Sequence, residues 1–149
     1  MTESKSLQTY KKAELVKIVK QQVVQVKTPY DLVRLDDAIV AEESNKEIIA
    51  EMLLELNEFS NVSRKMNPGQ IIETVNMLLS EYPRLTLQEY QVFFNRIKHG
   101  YFGQLYESLD GIKIMAFMKE YYNDILNAYH EMKEEFHQEI KRAENHRDL

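Results

Sequence analysis

Between Ile112 and Arg147 the chain runs for 36 residues without a glycine or a proline. A stretch of that length with no breaker predicts one continuous helix, about 54 Å long at 1.5 Å per residue. A compact domain of 149 residues has a radius of gyration of roughly 15 Å, so this helix is expected to project beyond the body. Its first part carries Ile112, Ile114, Met115, Phe117, Met118, Tyr121, Tyr122, Ile125 and Leu126, a wide apolar surface suited to a helix embedded among others. Further on the stripe narrows. Met115, Met118, Tyr122, Ile125, Tyr129, Met132 and Phe136 follow at steps of three and four, the spacing of a coiled-coil seam, with Glu131, Lys133, Glu134, Glu135 and Lys141 around its distal part. Ile125, Tyr129, Met132 and Phe136 are therefore assigned as a partner or oligomer seam. Three covers are open: the first helix of the same chain, a second copy, or a foreign helix.

Four glycines and three prolines in the whole chain leave little turn material for a many-stranded sheet, and 44% hydrophobic content supports a real core. The expected fold is all-α: a single domain over residues 1–149 with five or six helices, a core over about 7–126, and a projecting C-terminal helix over about 112–147. There is no cysteine, which removes disulfides, thiolate metal sites and cysteine nucleophiles. No apolar run reaches the ~20 residues needed to span a bilayer, and the N-terminal segment lacks the apolar centre of a signal peptide. A soluble, cytoplasmic protein without a membrane partner is expected.

Local signals place the other helices. Leu15, Ile18, Val19, Gln22, Val23 and Val26 recur on one side of a helix over about Leu7 to Val26, although the valines leave a strand open for Val23 to Val26. Thr28 and Pro29 form a cap and first turn for a second helix, which would bury Leu32, Leu35, Ile39 and Val40. Ser44 and Glu47 offer a capping box for a third, with Ile48, Ile49, Met52, Leu53, Leu56 and Phe59 on its apolar face. No glycine or proline separates these two, so they can also run on as one. Ser60 to Met66 reads as loop. Asn67, Pro68 and Gln70 open a helix that buries Ile71, Ile72, Val75, Leu78 and Leu79 and stops before Pro83. The core is expected to contain Ile49, Leu53, Ile72, Val75, Leu79, Phe93, Phe94, Ile97, Met115 and Met118.

The net charge of −5 is unevenly spread. Residues 1–30 hold six Lys against two Glu, and residues 31–60 nine acids against one Arg and one Lys. Residues 61–100 return to five basic against three acidic residues, and residues 101–149 hold six against ten. The overall sign opposes strong nonspecific binding to DNA, which depends on neutralising phosphates, and makes protein contact the default.

From Tyr82 to Tyr122 three helix boundaries and two glycines crowd together. Thr86 and Glu89 form a capping box, Gly100 suits a left-handed helix stop after a run over about Leu87 to His99, and Asp110 caps the long helix. This run, through Leu85, Thr86, Leu87, Lys98, Gly100, Gly103, Tyr106, Leu109, Asp110 and Gly111, resembles a segment of small, uncharacterised helical proteins of phages and mobile elements, those of Bacteroidetes especially. The resemblance covers at most a third of the chain. It implies a mobile-element origin and a bacterial host cytoplasm more than it implies an activity.

Within that run, Arg96, Lys98, His99, Tyr101, Phe102 and Tyr106 interleave cations with aromatic rings, the pattern of a surface that holds phosphates and stacks single-stranded DNA. The competing reading is structural: a helix cap, buried rings, and cations that complement the helix end. His130, Glu134 and His137 share a helix face at metal-ligand spacing but lie opposite the apolar seam, as a solvated face does. Asp36 with Asp37 and Glu42 with Glu43 diverge if helical. No phosphate loop, nucleophile motif or dinucleotide fingerprint is present. A nonenzymatic protein without a cofactor is expected. It would be an accessory factor similar in size and helical character to phage helicase loaders, or else an assembly, virion or host-inhibitor protein with no nucleic-acid role.

Overall fold

The computed structural model describes residues 2–147, with side chains from residue 12 to 146. Six α-helices follow one another: α1 Thr2–Val23, α2 Pro29–Val33, α3 Lys46–Phe59, α4 Pro68–Glu81, α5 Leu87–Lys98 and α6 Gly111–Arg147. A single 3-10 turn, Glu43–Asn45, leads into α3. Among the described residues there is no strand, only two isolated bridges. The all-α expectation and the long C-terminal helix are both met.

Three of the helix starts are closed by reciprocal side-chain caps. Thr28 and Asp31 cap α2, Asn67 and Gln70 cap α4, and Thr86 and Glu89 cap α5, each satisfying two backbone N–H groups that a helix end leaves orphaned. Asp110 Oδ1 accepts from the Lys113 N–H at 2.9 Å and caps α6. The Ser44–Glu47 box does not form. Asn45 Oδ1 instead accepts the Glu42 N–H at 2.7 Å, and the chain enters α3 through the 3-10 turn.

The second helix is far shorter than its pattern suggested, and it does not continue into α3. After Val33 the chain leaves the helix because its backbone is claimed elsewhere: the Ala41 N–H donates to the Leu85 carbonyl at 2.8 Å and the Leu87 N–H to the Ile39 carbonyl at 2.7 Å. Val40 thereby lies opposite Thr86 in an antiparallel bridge and is 47% exposed rather than buried. The first helix ends at Val23, earlier than the expected Val26, and the valines beyond it form a turn and not a strand. Ser60 to Met66 is a loop, as read, but an anchored one. The Asn57 side chain bonds both the N–H and the carbonyl of Met66 at 2.9 Å, and the Arg64 backbone exchanges hydrogen bonds with Glu107 and Leu109.

Helix α5 is the centre of the molecule. It packs against α1, α2, α3 and α6, while α4 closes the far side between α3 and α6 and α2 lies on α6. Of the expected core, Ile49, Leu53, Val75, Phe93, Phe94, Ile97 and Met118 are buried, and Leu79 and Met115 are partly so. Ile72 is not, at 53% exposed, because α4 points Ile71, Thr74, Val75 and Leu78 inward and position 72 falls one helical step to the side. Phe59 at the end of α3 is likewise exposed. The ring of Phe93 stacks on Tyr121 at 5.2 Å with planes 3° apart and meets Phe102, which stacks in turn on Phe117. This aromatic chain ties α5, the following turn and α6 together.

The start of α6 lies against α4 so closely that a Cβ on Gly111 would sit 2.7 Å from Thr74 Oγ1. Thr74 cannot easily yield, since its hydroxyl donates to the Gln70 carbonyl at 2.8 Å and the residue is buried. Gly111→Ala is therefore expected to destabilise the fold by about 1–3 kcal/mol through overpacking, whereas Gly69→Ala, with its nearest neighbour at 3.4 Å, should stay within about 0.5 kcal/mol of wild type. Urea titrations of the two variants check this; equal midpoints would refute the close contact of α4 with α6.

Candidate functional site

The turn after α5 is a complete Schellman stop. Gly100, at φ 73°, donates its N–H to the Ile97 carbonyl, and the Tyr101 N–H donates to the Arg96 carbonyl, both at 3.0 Å. In this motif the residue after the glycine usually makes an apolar contact back to the helix, and here Tyr101 does so with a cation. The Arg96 guanidinium lies 4.3 Å from the Tyr101 ring centroid and 5.4 Å from that of Tyr121. Its Nη1 is 3.4 Å from Asp124 Oδ2, and only 16% of its side chain is exposed.

The remaining residues of the turn disperse around it. Lys98 Nζ stands 4.0 Å from Glu55 Oε2 and 5.8 Å from the Phe59 ring centroid, on the side of the helix opposite Arg96. Phe102 is packed between Phe93 and Phe117. His99 is exposed, with Nδ1 2.7 Å from the Asn95 carbonyl. Tyr101 and Tyr106 are exposed, Tyr106 at 77%. Two shallow concavities flank the turn: one of about 290 Å³ holds Leu56, Phe59, Ile97, Lys98 and Leu105, and one of about 330 Å³ holds Val23, Val26, Lys27, Val92 and Tyr101. His99 borders both. The six sequence-predicted residues therefore do not converge on one face.

The sequence marks Glu89 only as a helix cap, whereas the structure buries it. Glu89 is 1% exposed; its Oε1 accepts the Thr86 N–H at 2.8 Å, and the Tyr121 hydroxyl donates to its backbone carbonyl at 2.7 Å. Its Oε2 has no hydrogen bond of good geometry, although the Tyr129 hydroxyl faces the carboxylate. Burial raises the Glu89 pKa above the usual carboxylate value, against the opposing pull of the Thr86 and Tyr129 donors. Burial and the neighbouring Glu89 charge push the Tyr129 hydroxyl up to about 12. The Tyr90 hydroxyl and Gln91 Oε1 are also buried without partners. The Thr86–Glu89 spacing was the one sequence signal available, and it marks a cap wherever the cap lies.

Along α6, Ile125 and Ala128 are the last buried side chains among the described residues. Tyr129 is 37% exposed, Met132 half-buried, Phe136 61% exposed and Ile140 41% exposed. The seam thus runs on past the body at steps of three, four and four. Where its side chains are described, α1 lies on α5 and reaches α3 through ion pairs. His130, Glu134 and His137 are exposed on the projecting part. Among the described residues no group of three or more His, Asp or Glu is arranged to hold a metal ion, and no helix is long and apolar enough to cross a membrane.

Compared with known proteins, residues 65–145, just over half of the chain, match the model of a family described as a family of unknown function (DUF6633). No curated protein and no solved structure matches.

Because Glu89 holds its proton more tightly in the folded chain than in the unfolded one, its charge costs stability above its folded pKa, and that cost fades as pH falls towards the ordinary value of 4.5. Glu89→Gln keeps an acceptor for the Thr86 N–H and removes the charge. The stability of the variant minus that of wild type should therefore rise with pH from about 4.5 upward. Urea melts between pH 4 and 8 measure it; a difference independent of pH would mean that the carboxylate is not desolvated.

Proposed function

The chain belongs to the DUF6633 family, and within that family of unknown function we propose that it is a nonenzymatic accessory protein of a phage or mobile element that works by protein–protein contact through distal α6. The observation that carries this reading is the seam: Met132, Phe136 and Ile140 continue the line of Tyr129 along one side of a helix that is leaving the body, and none of them is buried. A helical partner laid along that side would cover them, and the mixed charges of Glu131, Lys133, Glu134, Glu135, Lys141 and Arg142 around it suit a polar rim. Both a second copy and a foreign helix fit. The resemblance of the 85–111 segment supports the mobile-element origin, and a replicative protein is the kind of target such a factor would meet.

A role in contact with single-stranded DNA draws its support from the exposed Tyr101, Tyr106 and His99. Against it, the two cations of the turn are already compensated, Arg96 by Asp124 and Lys98 by Glu55. This observation favours the alternative of an assembly or inhibitor protein without a nucleic-acid role.

Replacing Met132 and Phe136 by Glu is expected to leave the melting temperature of the body within a few degrees of wild type, since neither side chain is buried, while association is lost. Sedimentation velocity of both proteins across micromolar concentrations decides the homo-oligomeric form. A monomeric wild type leaves a foreign helix or the first helix of the same chain as the cover, and collapse of the whole fold in the variant would favour the cover within the chain.

For the DNA reading, anisotropy of a labelled oligothymidine should show binding that weakens with salt and falls about tenfold in Tyr101→Ala/Tyr106→Ala, as loss of base stacking requires. Absence of wild-type binding at low salt removes that reading.

A further inference from the structure

Helix α1 is held to the body by different forces from the other long helices. Among its described side chains only Val19 and Val23 are buried, with Leu15 and Val16 partly covered. The α5 surface beneath it is partly polar: beside Val92, Gln88 Nε2 donates to Gln22 Oε1 of α1 at 2.7 Å, and Gln91 keeps a buried Oε1 with no partner. Towards α3 ion pairs stand beside the apolar Val16 and Ile48. Lys12 pairs with Glu47 and Lys20 with Glu55, each at 2.8 Å and each with both side chains more than 40% exposed, across a groove of about 460 Å³ that also holds Lys17 and Glu51.

Exposed ion pairs of this kind contribute little individually, and a helix with few buried apolar groups opens well below the free energy of global unfolding. The connection to α2 is short, Val24 to Thr28, and begins at a residue 79% exposed. Sequence charge matches the groove to its occupant. Residues 1–30 carry six Lys against two Glu, and residues 31–60, which include α3, carry nine acids against two basic residues.

We propose that α1 is a detachable arm, and that the face of α3 and α5 it covers is a docking site for a basic helix whose occupant is the α1 of a second copy, so that two chains exchange first helices. Such an exchange replaces each contact made within a chain by the same contact between chains. It uses a surface separate from the α6 seam and does not depend on the function proposed for that seam.

The test uses two full-length variants. Lys12→Glu/Lys20→Glu places an acidic α1 over its own acidic groove, and Glu47→Lys/Glu55→Lys places a basic α1 over a basic one. Each is mismatched within its own chain, but exchange between them pairs acidic arm with basic groove and basic arm with acidic groove. Size-exclusion chromatography with light scattering is expected to show either variant alone at the mass of one chain and the equimolar mixture at twice that mass. A mixture that stays at single-chain mass overturns the exchange. Hydrogen exchange on the wild type gives a second reading that needs no variant to fold: α1 amides at residues 12–23 should exchange roughly tenfold or more faster than those of α3 and α5. Protection of α1 equal to that of α5 would overturn the detachable arm.

Discussion

Helix α5 has neighbours on nearly every side, and most of the other features of this structure follow from that enclosure. Eight of its twelve residues are buried, yet only five of those eight, Leu87, Tyr90, Phe93, Phe94 and Ile97, are apolar or aromatic. Gln88, Glu89 and Gln91 are enclosed with them, and a buried polar group is costly unless it is bonded. Only part of that need is met, since Glu89 Oε2 and Gln91 Oε1 keep no partner. Gln88 is met by Gln22 and by the backbone of Ile39 and Asp37, and Glu89 by Thr86. The segment before α3 is pulled out of helical form to pair with residues 85–87, which places Ile39 where Gln88 needs it.

The same enclosure accounts for the aromatic turn. A buried helix needs its last carbonyls satisfied, and the Schellman stop at Gly100 does this with the backbone alone. Tyr101 then folds back over Arg96, Phe102 fills the space between Phe93 and Phe117, and Arg96 is drawn to Asp124 of α6. The interleaved cations and rings that resemble a nucleic-acid surface in sequence are thus largely occupied in joining α5 to α6. Tyr106, exposed at 77%, is the member of the segment for which no packing role is found.

The uneven charge of the first sixty residues has an intramolecular counterpart in the ion pairs between α1 and α3. Charge and apolar burial are divided between the two ends of the chain. The body is fastened by α3, α4, α5 and the first half of α6, while α1 buries only Val19 and Val23 among its described side chains and the second half of α6 extends away. Both regions suited to contact with another molecule lie where apolar burial is least.

What was legible in the sequence is what depends on near neighbours. Capping boxes at Thr28, Asn67 and Thr86, the glycine stop at 100 and the Asp110 cap are decided within four residues, and the helical period of Ile49, Leu53, Phe93, Phe94 and Met118 fixes which side of each helix is apolar. The all-α class and the unbroken α6 follow from the scarcity of glycine and proline. Which apolar side finds a neighbour is decided by residues distant in the chain. Leu35 to Val40 read as helix until Leu85 and Leu87 claim their backbone, Ile72 reads as core until α4 is oriented by Gly111 against Thr74, and Glu89 reads as an ordinary surface cap until α6 closes over it. Propensity and capping are local energies that the sequence carries by itself; burial, and with it the Glu89 pKa, the pairing of Arg96 and the bare seam of α6, exists only once the helices are packed.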